Sequence, residues 1–111
     1  MATSLFRTKG SQFFDDDGAP LAGGFIYYYE AGTTTLQDTF SDAAGAVPNT
    51  NPLELDAYGR LQASVYFGDS DTYSAYKELL TDADAVTISN WPIDSIPAAT
   101  PAAAAASTAY W

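Results

Sequence analysis

Apolar and ring-bearing residues come in short runs, each closed by Asp, Gly, Asn or Pro. From Leu61 to Phe67 they alternate cleanly, with Leu61, Ala63, Val65 and Phe67 on one face and Gln62, Ser64 and Tyr66 on the other, the period of a half-buried strand. Phe25 to Glu30 is the densest run, almost wholly aromatic or β-branched, which predicts a strand. Phe25, Tyr27 and Tyr29 share one face and Ile26, Tyr28 and Glu30 the other, so this strand is expected to be central or covered on both sides. Gln12 to Phe14 predicts a brief strand, Thr34 to Phe40 a partner strand with Leu36, Asp38 and Phe40 on one face, and Leu53 to Phe67 a hairpin. Tyr73 to Leu80 fits either a helical face (Tyr73, Tyr76, Leu80) or a strand, and its length between two turns favours the strand. Val86 to Trp91 predicts a last strand that Pro92 stops.

The punctuation between runs is turn chemistry. Asp15 opens a tight turn that Gly18 closes, because Asp side chains bond nearby amides and Gly accepts positive φ. Pro20 follows on an extended step, and Gly24 marks a bulge or bend with Gly23. Gly32 ends the aromatic strand, Asn51 and Pro52 close the loop from Ser41, and Asp56 and Gly59 hold the first and last places of a β-turn. Turns recur every 8–12 residues or so, the spacing of an antiparallel sandwich or small barrel. The expected fold is all-β: a small antiparallel β-sandwich or barrel-like domain of about six or seven short strands over residues 11–96. An extended N-terminal arm (1–10) precedes it and an Ala/Pro-rich tail (97–111) follows. Neither a βαβ alternation nor an internal repeat is expected. Phe6 and Arg7 in the arm, and Tyr110 and Trp111 in the tail, are candidate assembly contacts.

Charge narrows the function. The chain carries 14 Asp and Glu against 4 Lys and Arg, a formal net charge of −10. Such a surface repels phosphate backbones, so no nucleic acid is expected as partner. No run reaches the roughly 18 apolar residues of a membrane span. The opening residues lack the basic, apolar and small-residue pattern of a secretory signal, so synthesis in a cytoplasm is expected. With no Cys and no His, thiol chemistry, the usual triads and the common zinc sites are excluded. Ser with Lys as base rests on Lys9 or Lys77, neither in a recognisable motif. The remaining candidates are carboxylates and rings. Asp15 to Asp17, Asp69 with Asp71, and Asp82 with Asp84 supply clustered oxygens for calcium, but none continues into an EF-hand loop, and turn formation accounts for them. Tyr27 to Tyr29 and Tyr66 could stack on a sugar, against the plainer reading that they pack in a core or subunit interface. No catalytic residue, cofactor or metal ligand is assigned.

Residues Phe13 to Thr35, Ser41 to Arg60 and the Tyr-Lys-Glu-Leu-Leu-Thr-Asp-Ala-Asp-Ala run from Tyr76, in that order, resemble the N-terminal virion-anchoring domain of tailed-bacteriophage tail fibre and tailspike proteins. The matching positions are Asp15, Gly18, Pro20 and Leu21; Gly24 and Tyr29; Ala31 to Thr33 and Thr35; Asn51 and Pro52; Leu55, Asp56, Gly59 and Arg60. The resemblance implies an all-β module without catalysis, a homotrimer with its fibre, that plugs the fibre into other virion tail proteins such as adaptor, portal-proximal or nozzle proteins. It implies a place in the virion tail. Family members usually continue into a shaft and a receptor-binding end, so the shaft is expected elsewhere, or the chain is a stand-alone tail protein or a capsid-decorating or head-fibre protein. A carbohydrate-binding adhesion module is the alternative from a different class.

Overall fold

The computed structural model describes residues 1–101. Seven strands follow one another: β1 (Thr3–Arg7), β2 (Phe25–Glu30), β3 (Thr39–Phe40), β4 (Leu53–Glu54), β5 (Val65–Gly68), β6 (Tyr76–Thr81) and β7 (Ile93–Ile96). They form a three-stranded sheet in the order β1-β5-β3 and a four-stranded sheet in the order β4-β2-β6-β7, every named pairing antiparallel. The all-β sandwich expected from the turn spacing is what the chain forms.

The two sheets meet through rings. Phe67 of β5 stacks on Tyr76 of β6 with centroids 4.0 Å apart, and on Phe6 of β1 at 4.6 Å. Tyr28 of β2 meets Phe6 and Phe67 edge-on. Ile26, Leu53, Leu55, Leu61, Val65, Leu80 and Ile88 fill the rest of the core. Burial of such side chains contributes about 1.5–3 kcal/mol each. The strict alternation of Leu61 to Phe67 holds, with Leu61, Val65 and Phe67 buried. β2 is central in its sheet, with Ile26 and Tyr28 buried and Phe25, Tyr27 and Tyr29 half-buried on the outer face.

Several local expectations change. Residues 1–10 are not a loose arm: Thr3 to Arg7 pair with β5 from Thr3 opposite Gly68 to Arg7 opposite Val65. Phe6 and Arg7 are drawn in because each finds a partner across the sandwich. The Leu53–Phe67 hairpin divides, since β4 joins β2 while β5 joins β1 and β3. Only the bridge from Leu55 to Leu61 spans its turn, so this turn carries the chain from one sheet to the other. Gln12 to Phe14 makes isolated bridges, from Gln12 to Arg60 and from Phe14 to Pro20, in place of a strand. Between Thr34 and Phe40 the faces are reversed up to Thr39: Gln37 and Thr39 are buried and Leu36 is exposed. The cause is polar. Gln37 donates to the Ser74 and Ala75 carbonyls and accepts from the Ser74 amide, tying two loops together.

The last strand lies after Pro92. Thr87 bridges to Thr81, and the Ile88 amide donates to the Leu80 carbonyl, which would set Asn90 opposite Glu78. Ile93 stands there instead, because Ser89 to Pro92 loop out while the Trp91 side chain turns inward to Glu78. The sandwich also reaches past residue 96: Ala99 is buried and bridges in parallel to Asp69. Ala2 donates to the Asp69 carboxylate at 3.3 Å, so the first and last docked segments meet on one loop.

Candidate functional site

One turn is used four times. Asp15, Asp42, Asp56 and Asp82 each accept, through Oδ1, the amide of the residue four places on: Ala19, Ala46, Arg60 and Val86. The amide three places on returns to the Asp carbonyl in every case, from Gly18, Gly45, Gly59 and Ala85. That residue is left-handed throughout, with φ of 84°, 69°, 72° and 65°. The geometry is a tight hairpin turn ended by a left-handed residue. The motif Asp-x-x-Gly-x is therefore a recurring local device, where no internal repeat was expected. Ala85 in the glycine place hides the fourth copy.

Three of these tips are neighbours. Phe13 donates to the Gly59 carbonyl, and Gly23 donates to the Asp56 carbonyl while a Cβ on it would lie 3.7 Å from that of Ala83 in the Asp82 turn. A Cβ on Gly59 would stand 2.5 Å from the Leu21 amide nitrogen and 2.7 Å from the Phe13 carbonyl oxygen. Gly24 serves close packing: its Cβ would lie 2.7 Å from the Thr81 carbonyl oxygen. Gly32 has φ of 70° and closes the turn in which Thr33 donates to Glu30. Asn51 does more than end a loop. Its side chain accepts from the Tyr28 amide at 3.0 Å and donates to the Tyr28 carbonyl at 2.8 Å, standing in for a strand beside β2. Pro20 bridges to Phe14, and Pro52 follows Asn51 through a cis peptide.

Two carboxylates are buried among the described residues, Asp69 and Glu78; Glu78 has 0% of its side chain exposed. Arg7 donates to both its oxygens, Nε to Oε2 at 3.1 Å and Nη2 to Oε1 at 2.7 Å. Tyr28 donates its hydroxyl to Oε2 at 2.7 Å and Trp91 its indole N–H to Oε1 at 3.0 Å. The guanidinium also lies over the Phe6 ring, 4.7 Å from its centroid. Both carboxylate oxygens are thus satisfied from both sheets, the condition for burying a charge at tolerable cost. Burial, then the neighbouring Glu78, pushes the Tyr28 hydroxyl well above its ordinary pKa, and burial pushes Tyr76 up to about 12. Backbone amides hold Asp42 and Asp56 below the ordinary carboxylate value.

The candidate chemistry disperses. Phe6 and Arg7 spend their side chains on this interior cluster, while Tyr110 and Trp111 lie outside the described residues. Asp15 and Asp82 are occupied by their own turns, and among the described residues no three metal-ligating side chains converge. Tyr27 and Tyr29 stack on each other, 5.9 Å apart and 2° from parallel. Tyr66 pairs with Leu5 and Phe40 in the other sheet. These rings form no common platform. An open groove of about 420 Å³ runs beside β4, lined by Val47, Asn49, Leu53, Glu54 and Gln62 among others. Its amides are already committed, Asn49 to the Ser64 carbonyl and Gln62 to the Glu54 carbonyl. Residue patterning singled out the turn positions but missed Glu78, Trp91 and the Asn51 side chain. Asn51 was flagged only for its place before Pro52, and a lone Glu in an alternating strand gives no signal of its partners. No protein-family model matches the chain, and no curated protein matches it.

Proposed function

We propose that this chain is a structural module of a tailed-phage virion that anchors a tail fibre or tailspike to the tail or adaptor complex through protein–protein contacts. The observation that carries the reading is how the motif residues of the resemblance are spent. Asp15, Gly18, Gly24, Asn51, Asp56 and Gly59 all hold backbone or pack against it, so the shared pattern is a scaffold pattern. A scaffold that fixes its loops without assembling reactive groups suits a docking part. The polarity of the fold suits it too. Ala2 and Ala99 both dock on Gly68 to Ser70, at the pole away from the three neighbouring Asp turns. One pole is then free to meet the virion while the chain continues from the other.

The test is to tag the chain and locate it in purified particles by cryo-electron microscopy. Density at the junction of tail and fibre is expected. Density on the head surface would move the protein to the capsid-decorating class, and absence of the chain from the particles would overturn the reading.

A further inference from the structure

We infer that the bond between Met1 and Ala2 is a processing site, and that Asp69 is built to receive the α-ammonium group that cleavage leaves on Ala2. Asp69 is 6% exposed, yet its carboxylate has almost no donors. Oδ1 has no hydrogen-bond partner, and Oδ2 accepts only the Ala2 amide, at 3.3 Å. Burying an ionised carboxylate in this way is costly unless a charge or several donors face it. Glu78, the other buried carboxylate, shows the finished arrangement, with an arginine, a phenol and an indole around it.

The groups around Asp69 are committed elsewhere. Ser70 donates to the Ala99 carbonyl, Ala99 donates to the Gly68 carbonyl, and Thr72 and Tyr73 both donate to the backbone carbonyl of Asp69. Arg7 is paired with Glu78, and among the described residues no Lys or Arg forms an ion pair with Asp69. A metal ion would need further ligands, and among the same residues no three metal-ligating side chains converge.

The Ala2 nitrogen is placed to supply both charge and donors. Thr3 stands opposite Gly68 and Ser4 opposite Phe67, so the antiparallel register carries Ala2 to Asp69. Thr3 Oγ1 donates to the Ala43 carbonyl at 2.6 Å, which fixes the strand where it begins. Within a peptide bond that nitrogen offers one hydrogen and no charge. Hydrolysis breaks the Met1–Ala2 amide. Water adds its hydroxyl to the Met1 carbonyl carbon and one proton to the Ala2 nitrogen, and the proton of the new carboxyl passes to the amine. Three N–H donors and a full positive charge then stand where one long hydrogen bond stood, enough to engage both oxygens. Charge-assisted bonds of this kind are shorter and roughly twice as strong as neutral ones. Met1 is 49% exposed, and Ala2 sets a single methyl beside the bond. Where Met1 leads the chain, a methionine-removing aminopeptidase makes the cut; a longer leader would depart with it.

Two forms of the full chain test the site, each released from a cleavable fusion, one beginning at Ala2 and the other at Met1. The Ala2 form is expected to melt higher, by roughly 4–8 °C. An acetyl group on its α-amine is expected to abolish the gain, and Asp69→Asn is expected to bring the two forms to a common melting temperature. The acetylated form keeps the test decisive if Asp69→Asn fails to fold, since it leaves Asp69 untouched. The intact mass of the chain made in bacterial cells without a fusion is expected to lack the methionine. Equal melting of the two forms, a gain that survives acetylation or Asp69→Asn, or retention of Met1 in the chain made without a fusion would overturn the inference.

Discussion

Arg7 of β1 and Glu78 of β6 join the two sheets by a two-pronged ion pair, at 2.7 and 3.1 Å. The glutamate is fully enclosed and the arginine 28% exposed. The pair explains why the first strand stays in place although Ser4 and Leu5 face solvent. Removing the cation leaves a buried carboxylate with two donors fewer, a loss of about 3–5 kcal/mol. Arg7→Met is therefore expected to lower the midpoint of urea unfolding severely. Replacing the pair with Arg7→Met and Glu78→Leu together is expected to recover part of the loss, short of all of it, since Tyr28 and Trp91 lose their acceptor. A single variant as stable as the wild type would show that the pair carries no net stability.

Ala85 occupies the left-handed place that glycine fills in the other three Asp turns. A non-glycine residue there is strained by roughly 1–2 kcal/mol, and glycine returns about 0.5–1 kcal/mol of that in unfolded-state entropy. Ala85→Gly is expected to stabilise the protein by up to about 1 kcal/mol, read as a raised melting temperature. A lowered one would mean that the strain is relieved in some other way.

Gly59 and Asp56 share a turn but not a fate. Gly59→Val adds a Cβ against backbone at 2.5 Å in a left-handed conformation, and neither neighbour can move alone, so loss of folded protein is expected. Asp56→Asn keeps an oxygen acceptor for Tyr58 and Arg60. Its expected effect is small, a melting temperature close to that of the wild type. Comparable expression and melting of the two variants would refute this ordering.

Titration has two edges. Tyr76 is raised to about 12 and Tyr28 is raised well above 10.0, so each is held neutral in the fold. Their contribution is complete below the unfolded value near pH 10 and is lost as pH climbs from 10 toward 12. Phenolate absorbance should therefore rise first for exposed tyrosines, with a last, cooperative step coinciding with loss of β-sheet circular dichroism. Asp42 and Asp56 are lowered below 3.8 by amide donors. They favour the fold above that value and lose their contribution as pH falls through their depressed folded values. Asp56→Asn should flatten the acid limb, and an unchanged acid limb would count against this role.

Much of this fold was legible because its signals are local. Leu61 to Phe67 read correctly since a period of two over seven residues survives any context, and Asp15 to Gly18 read as a turn from its own side chains. What stayed hidden is non-local. Thr3 to Arg7 hold only Leu5 and Phe6 as apolar residues, and their strand identity comes from β5, far along the chain. The exposed sequence of β7 carries no alternation at all, and its place follows from Trp91 reaching Glu78. The candidate site followed the same rule. Turn glycines were visible, while Glu78 gained its meaning from Arg7, 71 positions away.

Ala2 and Ala99 end on neighbouring residues of a single loop, so the connectivity of the domain is almost a closed circle. A polypeptide arranged in this way has no privileged starting point. Joined there by a short linker and opened instead at the exposed Ala43–Ala44 step, the same strands could pair in the same order around the core. The sandwich would then owe its shape to which segments touch and nothing to which one is made first. Made in its natural order, the domain must wait. β1 has no partner until Val65 to Gly68 appear, and the loop that holds it gains its final neighbour with Ala99. Folding waits on segments far apart in the sequence.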